Sequence, residues 1–308
     1  MTSERSDSKP QPEVTYDLRR PALTFDSLVL PKDVSDQIEQ AVTLYRERDL
    51  IFDTWGLKSL FPQKQRLVLN FYGPPGTGKT HCAEAFAAHL GLEYLSVNYA
   101  TMESKFVGET AKNIVAVFRY AARRKVLMHW DEADTILGKR LTHVSQSTDH
   151  AVNTARTTML IEIERHDGPV VFGTNLITNY DRAFERRIDA FIEFRLPSEV
   201  ERTSLLKKML PRSLPKDAAL SMEAAAALTD GFSPADLRKL FLLAAARMAL
   251  KKTNRALSND VLAAAIDDVR RGKMALVGGV RSTIEAVSPA GFVDGDPAGA
   301  GLADRRGD

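Results

Sequence analysis

The chain has 308 residues, with 42 Lys and Arg against 40 Asp and Glu and a formal charge of +2. Hydrophobic residues make up 44% and charged residues 27%, a globular balance that excludes a disordered chain, a collagen-like repeat or a small stapled scaffold. So little net charge argues against holding nucleic acid by bulk electrostatics, and one cysteine, Cys82, forms no internal disulfide and points to a reducing compartment.

The first residues are polar and lack the apolar core of a signal peptide. No apolar run reaches the roughly 18 residues that a membrane span needs, so the expected location is the cytoplasm and no membrane partner is expected. Residues 1–22 are rich in Ser, Pro and charge and read as a flexible arm. From Pro31 to Leu50 the apolar residues Val34, Ile38, Val42 and Tyr45 recur near helical spacing. Leu67 to Tyr72 reads as a strand, a Gly-Pro-Pro-Gly-Thr-Gly turn follows, and Lys79 to Leu90 reads as a helix. Further short apolar strands are expected at Tyr94 to Val97, Val126 to Trp130, Val170 to Phe172 and Phe191 to Phe194, with helices near 110–125 and 150–165. This alternation predicts an α/β fold with a parallel sheet covered on both faces.

After Pro197 the strand signals stop. Glu199 to Leu210, Met222 to Leu228, Pro234 to Lys251 and Asp260 to Arg271 read as helices, with Ser233 and Asn259 as N-caps. The expected organisation is a flexible arm at 1–22, an α/β nucleotide-binding domain at 23–198, a small all-helical lid at 199–272 and a tail at 273–308. The tail carries seven of the eighteen glycines and is expected to be disordered, with Met274 to Ile284 able to pack.

The run Gly73-Pro74-Pro75-Gly76-Thr77-Gly78-Lys79-Thr80 fits G-x-x-x-x-G-K-[ST] between a strand and a helix. Its glycines let the backbone approach phosphate oxygens, and the helix N-terminus holds the anion. Lys79 would reach the β- and γ-phosphates of a bound nucleotide and Thr80 would ligate Mg²⁺. The strand Val126 to Trp130 ends in Asp131 and Glu132. At the carboxyl end of a parallel strand both acids face the ligand crevice; Asp131 would orient Mg²⁺ and Glu132 would polarise the attacking water. His129 and Trp130 read as packing, one to each face.

With these motifs the chain resembles the AAA-type ATPases, ring-forming mechanical ATPases, over about residues 23–272. The resemblance implies a P-loop NTPase domain with a central parallel sheet and a helical lid, an ATP hydrolase requiring Mg²⁺, and a homo-oligomer, most simply a hexamer. Asn175 matches that family's polar sensor of the γ-phosphate. The segment Tyr180 to Asp189 resembles its second region of homology, which sends arginine fingers into the neighbouring site; Arg186 and Arg187 are both candidates, adjacent here where the family often separates them. Lys105-Phe106-Val107-Gly108 resembles the aromatic pore loop that grips a polypeptide, and residues 139–150 match a second pore loop in position only, with His143 and His150 read as solvated. Pro234 and Ala235, in a segment similar to the family's Gly-x-Ser-Gly-Ala-Asp-Leu, would lie near adenine and ribose; Ala235 stands where many relatives carry an arginine sensor, and Arg238, one turn on, is not assigned that role. The leading segment from Thr24 to Leu30 lacks the usual Gly-Gly, and Val29 and Leu30 are candidate base contacts.

There is no H-E-x-x-H, which excludes a fused zinc protease. The lid run Leu237-Arg238-Lys239-Leu240 is similar to that of small bacterial relatives of the pachytene-checkpoint ATPases. That implies a HORMA-domain partner beside a cyclic-nucleotide synthase in antiphage defence. The alternatives are another AAA unfoldase or disassembly chaperone, or a nucleic-acid-associated motor, for which no helix-turn-helix or basic stripe is evident.

Overall fold

The computed structural model describes residues 16–61, 66–105, 109–138, 147–175, 180–251 and 255–285. Among these residues one sheet is built from β1 (Asp17–Arg19), β2 (Leu67–Tyr72), β3 (Glu93–Asn98), β4 (Val126–Asp131), β5 (Pro169–Thr174) and β6 (Ala190–Glu193), in the order β1-β3-β4-β5-β2-β6. Strands β2 to β6 run parallel and β1 pairs antiparallel with β3. The helices α1 (Lys32–Arg46), α2 (Lys79–Leu90), α3 (Tyr99–Lys105), α4 (Thr110–Ala122), α5 (Asp134–Leu137), α6 (Ser147–Arg165) and α7 (Arg182–Glu185) belong to the same α/β unit. They are followed by α8 (Glu199–Met209), α9 (Met222–Leu228), α10 (Pro234–Leu250) and α11 (Asn259–Glu285).

Strand periodicity of two sends alternate residues to opposite faces, and both faces are buried. Val68, Leu95, Met128, Trp130 and Phe172 join Ile114, Val117 and Phe118 of α4 and Met159 and Ile163 of α6 in one core. Leu67, Leu69, Phe71, Tyr94, Leu127 and Ile192 join Val34 and Ile38 of α1 and Cys82 and Phe86 of α2 in the other. A third core, with Leu206, Phe232, Leu237, Leu240, Ala265 and Ile266, is made by α8 to α11. His129 and Trp130 are both fully buried, in keeping with a packing role; the Tyr94 hydroxyl lies 2.7 Å from His129 Nδ1.

Three expectations are corrected. Residues 17–19 lie in the stretch expected to be a flexible arm, yet they form β1. Their anchor is remote in sequence: Glu84 of α2, whose side chain is 7% exposed, accepts from Arg19 Nη2 at 2.7 Å and from Ala22 N at 2.9 Å. Helix α11 does not stop at Arg271 but carries its backbone to Glu285, thirteen residues into the expected tail. Its N-terminal cap is made by Ser258, whose Oγ accepts from Val261 N. Asn259 instead bridges to the loop before α9, accepting from Ser221 N and donating to Ala219 O. The expected cap Ser233 is confirmed as half of a capping box with Asp236.

Candidate functional site

Strand β2 delivers the chain into the glycine loop, and α2 opens on Lys79 with no side-chain cap. The first-turn N–H groups of α2 are therefore left for an anion. Lys79 is 8% exposed. Its ammonium donates to Gly73 O at 2.7 Å, Pro74 O at 2.9 Å and Asn175 Oδ1 at 2.9 Å. Burial lowers the Lys79 pKa below its ordinary value, against the opposing pull of Asp131 and Asp134. Thr77 Oγ1 closes the loop on Pro74 O at 2.8 Å. Thr80 Oγ1 donates to Asp131 Oδ2 at 3.0 Å. That hydroxyl and carboxylate are the oxygen donors that a hard cation takes.

Strand β5 stands between β2 and β4, so its end sits between the phosphate loop and the two acids. Asn175 follows β5 directly, and its position is fixed from Asp134, whose Oδ1 accepts from Asn175 N at 2.7 Å and also from Thr174 Oγ1. Glu132 has φ 53° and is the non-glycine residue with positive φ among the described residues. Backbone held in this sparsely populated region marks functional sites and has a cost of roughly 1–3 kcal/mol. Its amide bonds to Asp131 Oδ1 at 3.0 Å, and its carboxylate Oε2 accepts from Asn98 Nδ2 at 2.8 Å. Asn98 ends β3, in register with Asp131, and its Oδ1 accepts from Thr101 N in the first turn of α3. One side chain thus joins Glu132 to the helix that leads toward Phe106.

The lid meets the loop directly. Ala235 N donates to Gly76 O at 3.2 Å. A groove of about 220 Å³ is lined by Gly76, Gly78, Lys79, Thr80, Pro234 and Ala235, with His81, Met209 and Arg238. Val29 is not among its lining residues. It packs against the helical core, because Lys208 Nζ holds Leu28 O at 2.8 Å and draws the leading segment onto α8. Leu30 packs against the core of α1 and α2 and is likewise not among the groove's lining residues.

The two arginines part company. Arg187 donates to Ala183 O at 2.9 Å and pairs with Glu164 of α6 at 2.5 Å. Arg186 is exposed, and its guanidinium has no partner among the described residues. The segment around them is fixed to β2: Asp189 Oδ2 accepts from Val68 N at 2.9 Å, and Asp189 N donates to Val68 O. Phe106, Val107 and Gly108 lie outside the described residues, as do residues 139–146 of the second loop. Lys105 ends α3, and His150 is exposed. Among the described residues no group of three or more metal-ligating side chains occurs, and no helix is long and apolar enough to cross a membrane.

Asn98, Asp134 and Met209 were not singled out by sequence. A lone Asn at a strand end carries no spacing signal, and Asp134 differs from a loop acid only by what it touches.

A phosphate loop with its acids two strands away and a polar strand end between them defines a P-loop nucleoside triphosphatase fold. Residues 69–196 match the family described as ATPase family associated with various cellular activities (AAA), and the chain carries an AAA ATPase domain. It is 34% identical over 176 residues to a probable 26S proteasome regulatory subunit 10B of Caenorhabditis elegans, covering 55% of this chain and 43% of that one. It is 30% identical over 246 residues to a proteasome-activating nucleotidase of Methanoregula boonei, covering 78% of this chain and 54% of that protein. To the proteasome-activating nucleotidase of Saccharolobus solfataricus it is 29% identical over 265 residues, 83% and 65% of the two chains. The chain spans about half the length of the curated relatives it matches.

Proposed function

We propose that the chain is an ATP-hydrolysing machine that works on polypeptide, assembled as a hexameric ring in which Arg186 of one copy completes the site of the next. The observation that carries this reading is the split of the arginine pair. Arg187 is held within its own subunit by Glu164, while Arg186 beside it is exposed, without a partner among the described residues, on a segment fixed to β2. A guanidinium supplied from a neighbour offsets the charge that develops on the transferred phosphoryl group.

The residues present fit ATP and Mg²⁺: an uncapped helix N-terminus, an inward ammonium, and a hydroxyl and carboxylate that already meet at 3.0 Å. Lys79 and the loop amides would hold the phosphates, and Thr80 and Asp131 would hold Mg²⁺. The bound ion would supply charge neutralisation. Glu132 takes the proton from the attacking water once Asn98 yields it, and Asn175 orients the terminal phosphate from the end of β5. Pro234 and Ala235 close the groove from the lid.

The names of the relatives, proteasome-activating nucleotidase and 26S proteasome subunit, support a polypeptide client gripped by Lys105, Phe106, Val107 and Gly108. The narrower client, a HORMA-domain protein beside a cyclic-nucleotide synthase, rests on the lid run Leu237 to Leu240.

The deciding experiment mixes subunits. Arg186→Ala and Glu132→Gln chains are each expected to lose hydrolysis by about two to four orders of magnitude, and mixed rings regain part of it where intact halves meet. No recovery in verified mixed rings refutes the shared site. The Glu132→Gln ring, loaded with ATP, is expected to retain its client; a HORMA-domain protein in that complex supports the narrower reading and another protein refutes it.

A further inference from the structure

We propose that Lys273 of α11 is a positioning residue for the nucleotide: it neutralises the Asp236 carboxylate, which stands behind the lid wall of the groove on Ser233, and so keeps that wall open to a polyphosphate. The inference rests on the nucleotide reading of the same groove.

The geometry is local and complete. Asp236 is the third residue of α10, in the helix turn that abuts the phosphate loop. Its Oδ2 accepts from Ser233 N and Ser233 Oγ, both at 2.8 Å. Ser233 and Ala235 in turn touch the loop: a Cβ placed on Gly76 would stand 2.9 Å from both Ser233 Oγ and Ala235 Cβ. A helix N-terminus favours an anionic ligand, but an unpaired carboxylate in its first turn works against one. Lys273 removes that conflict. Its Nζ donates to Asp236 Oδ2 at 2.7 Å and to Gly231 O at 3.0 Å, and it lies 5.3 Å from the centre of the Phe232 ring. The pair is partly sheltered, with side chains 42% and 20% exposed. Burial pushes the Asp236 pKa up, but the hydrogen bonds from Lys273 and Ser233 outweigh it and leave the pKa lowered, so the carboxylate stays ionised and needs its counter-charge. Arg238 lines the same groove and makes no contact with a described carboxylate, so it does not take over this task.

A purely structural clamp and a charge-neutralising one predict different variant patterns. The full-length chain is compared as parent, K273M, D236N and the D236N/K273M double, by ATPase KM and kcat and by titration with a fluorescent ADP. Expected is a rise of roughly threefold to tenfold in KM and in the ADP dissociation constant for K273M alone, with kcat nearly unchanged. D236N and the double variant are expected to bind like the parent, because neither leaves a bare carboxylate. A K273M chain that binds like the parent overturns the proposal, as does an equal loss in all three variants, which marks a scaffold contact. If K273M does not fold, the double variant decides: binding like the parent supports the proposal, and a tenfold loss overturns it. A parent that binds neither nucleotide refutes the nucleotide reading itself and not the role of Lys273 alone.

Discussion

Gly76→Ala tests whether the lid contact on the phosphate loop contributes to nucleotide binding. Gly76 has φ 76°, a left-handed conformation that is worse for alanine by about 1–2 kcal/mol. The new Cβ would stand 2.9 Å from Ala235 Cβ and Ser233 Oγ, where carbon atoms rest at roughly 3.5–4.0 Å. The lid must withdraw by about 0.6 Å or more to relieve this. The bond from Ala235 N to Gly76 O, already 3.2 Å long, then passes out of range, with a net loss of about 1 kcal/mol. The backbone strain is present with and without nucleotide, so what reaches affinity is the lost lid contact, about 1 kcal/mol or roughly fivefold. Gly56→Ala is the control: its φ is 78° and nothing lies within 4 Å of the added Cβ. It carries the same backbone strain and no lid contact, so it is expected to lower stability by about 1–2 kcal/mol and leave affinity unchanged. The assay is calorimetric titration with ADP alongside thermal unfolding. A Gly76→Ala chain that binds within threefold of the parent would refute the reasoning.

Asn98→Ala releases Glu132 from its 2.8 Å amide donor, and unstimulated turnover is expected to rise by about threefold to tenfold, the worth of one hydrogen bond; a fall in turnover would show that Asn98 aims the carboxylate productively. His166 is buried, meets the Phe118 ring edge-on and has its pKa lowered to about 4 by burial. The folded state keeps it neutral while the unfolded chain takes up a proton near pH 6.5, so its contribution is present above pH 6.5 and is lost as pH falls toward 4. At pH 5 the loss from this group is about 2 kcal/mol, measurable by urea unfolding at pH 7.5 and pH 5. His166→Gln is expected to flatten that pH dependence, and an equally steep loss in the variant would remove His166 as its source.

The strands and the phosphate loop were legible because their signals are local. Val68 and Leu69 alternate faces, and the loop residues from Gly73 to Thr80 are contiguous, so spacing alone placed them beside each other. Asp131 and Glu132 were legible because they end an apolar run. Most of the parts that sequence missed are long-range. Glu84 fastens Ala22 and Arg19 across 62 and 65 positions, and three-residue β1 is too short to show a period. Asn98 reaches Glu132 across 34 positions. The arginine pair shows the same limit. Arg186 and Arg187 are chemically identical in the sequence, and only the position of Glu164 on α6 tells them apart. The packing of Val29 against the helical core goes with the bond from Lys208 to Leu28, and no motif marks Lys208.

The short antiparallel strand β1 has a practical bearing on how the protein is handled. It caps the rim of the sheet along β3 and supplies the cation for Glu84. Deleting everything before Leu23 would uncover a row of unpaired amides and carbonyls, an adhesive margin for a second chain, and would leave a buried acid bare inside the molecule. Trimming at that point to tidy the terminus would therefore yield clumped material, and its inactivity would say nothing about the site itself.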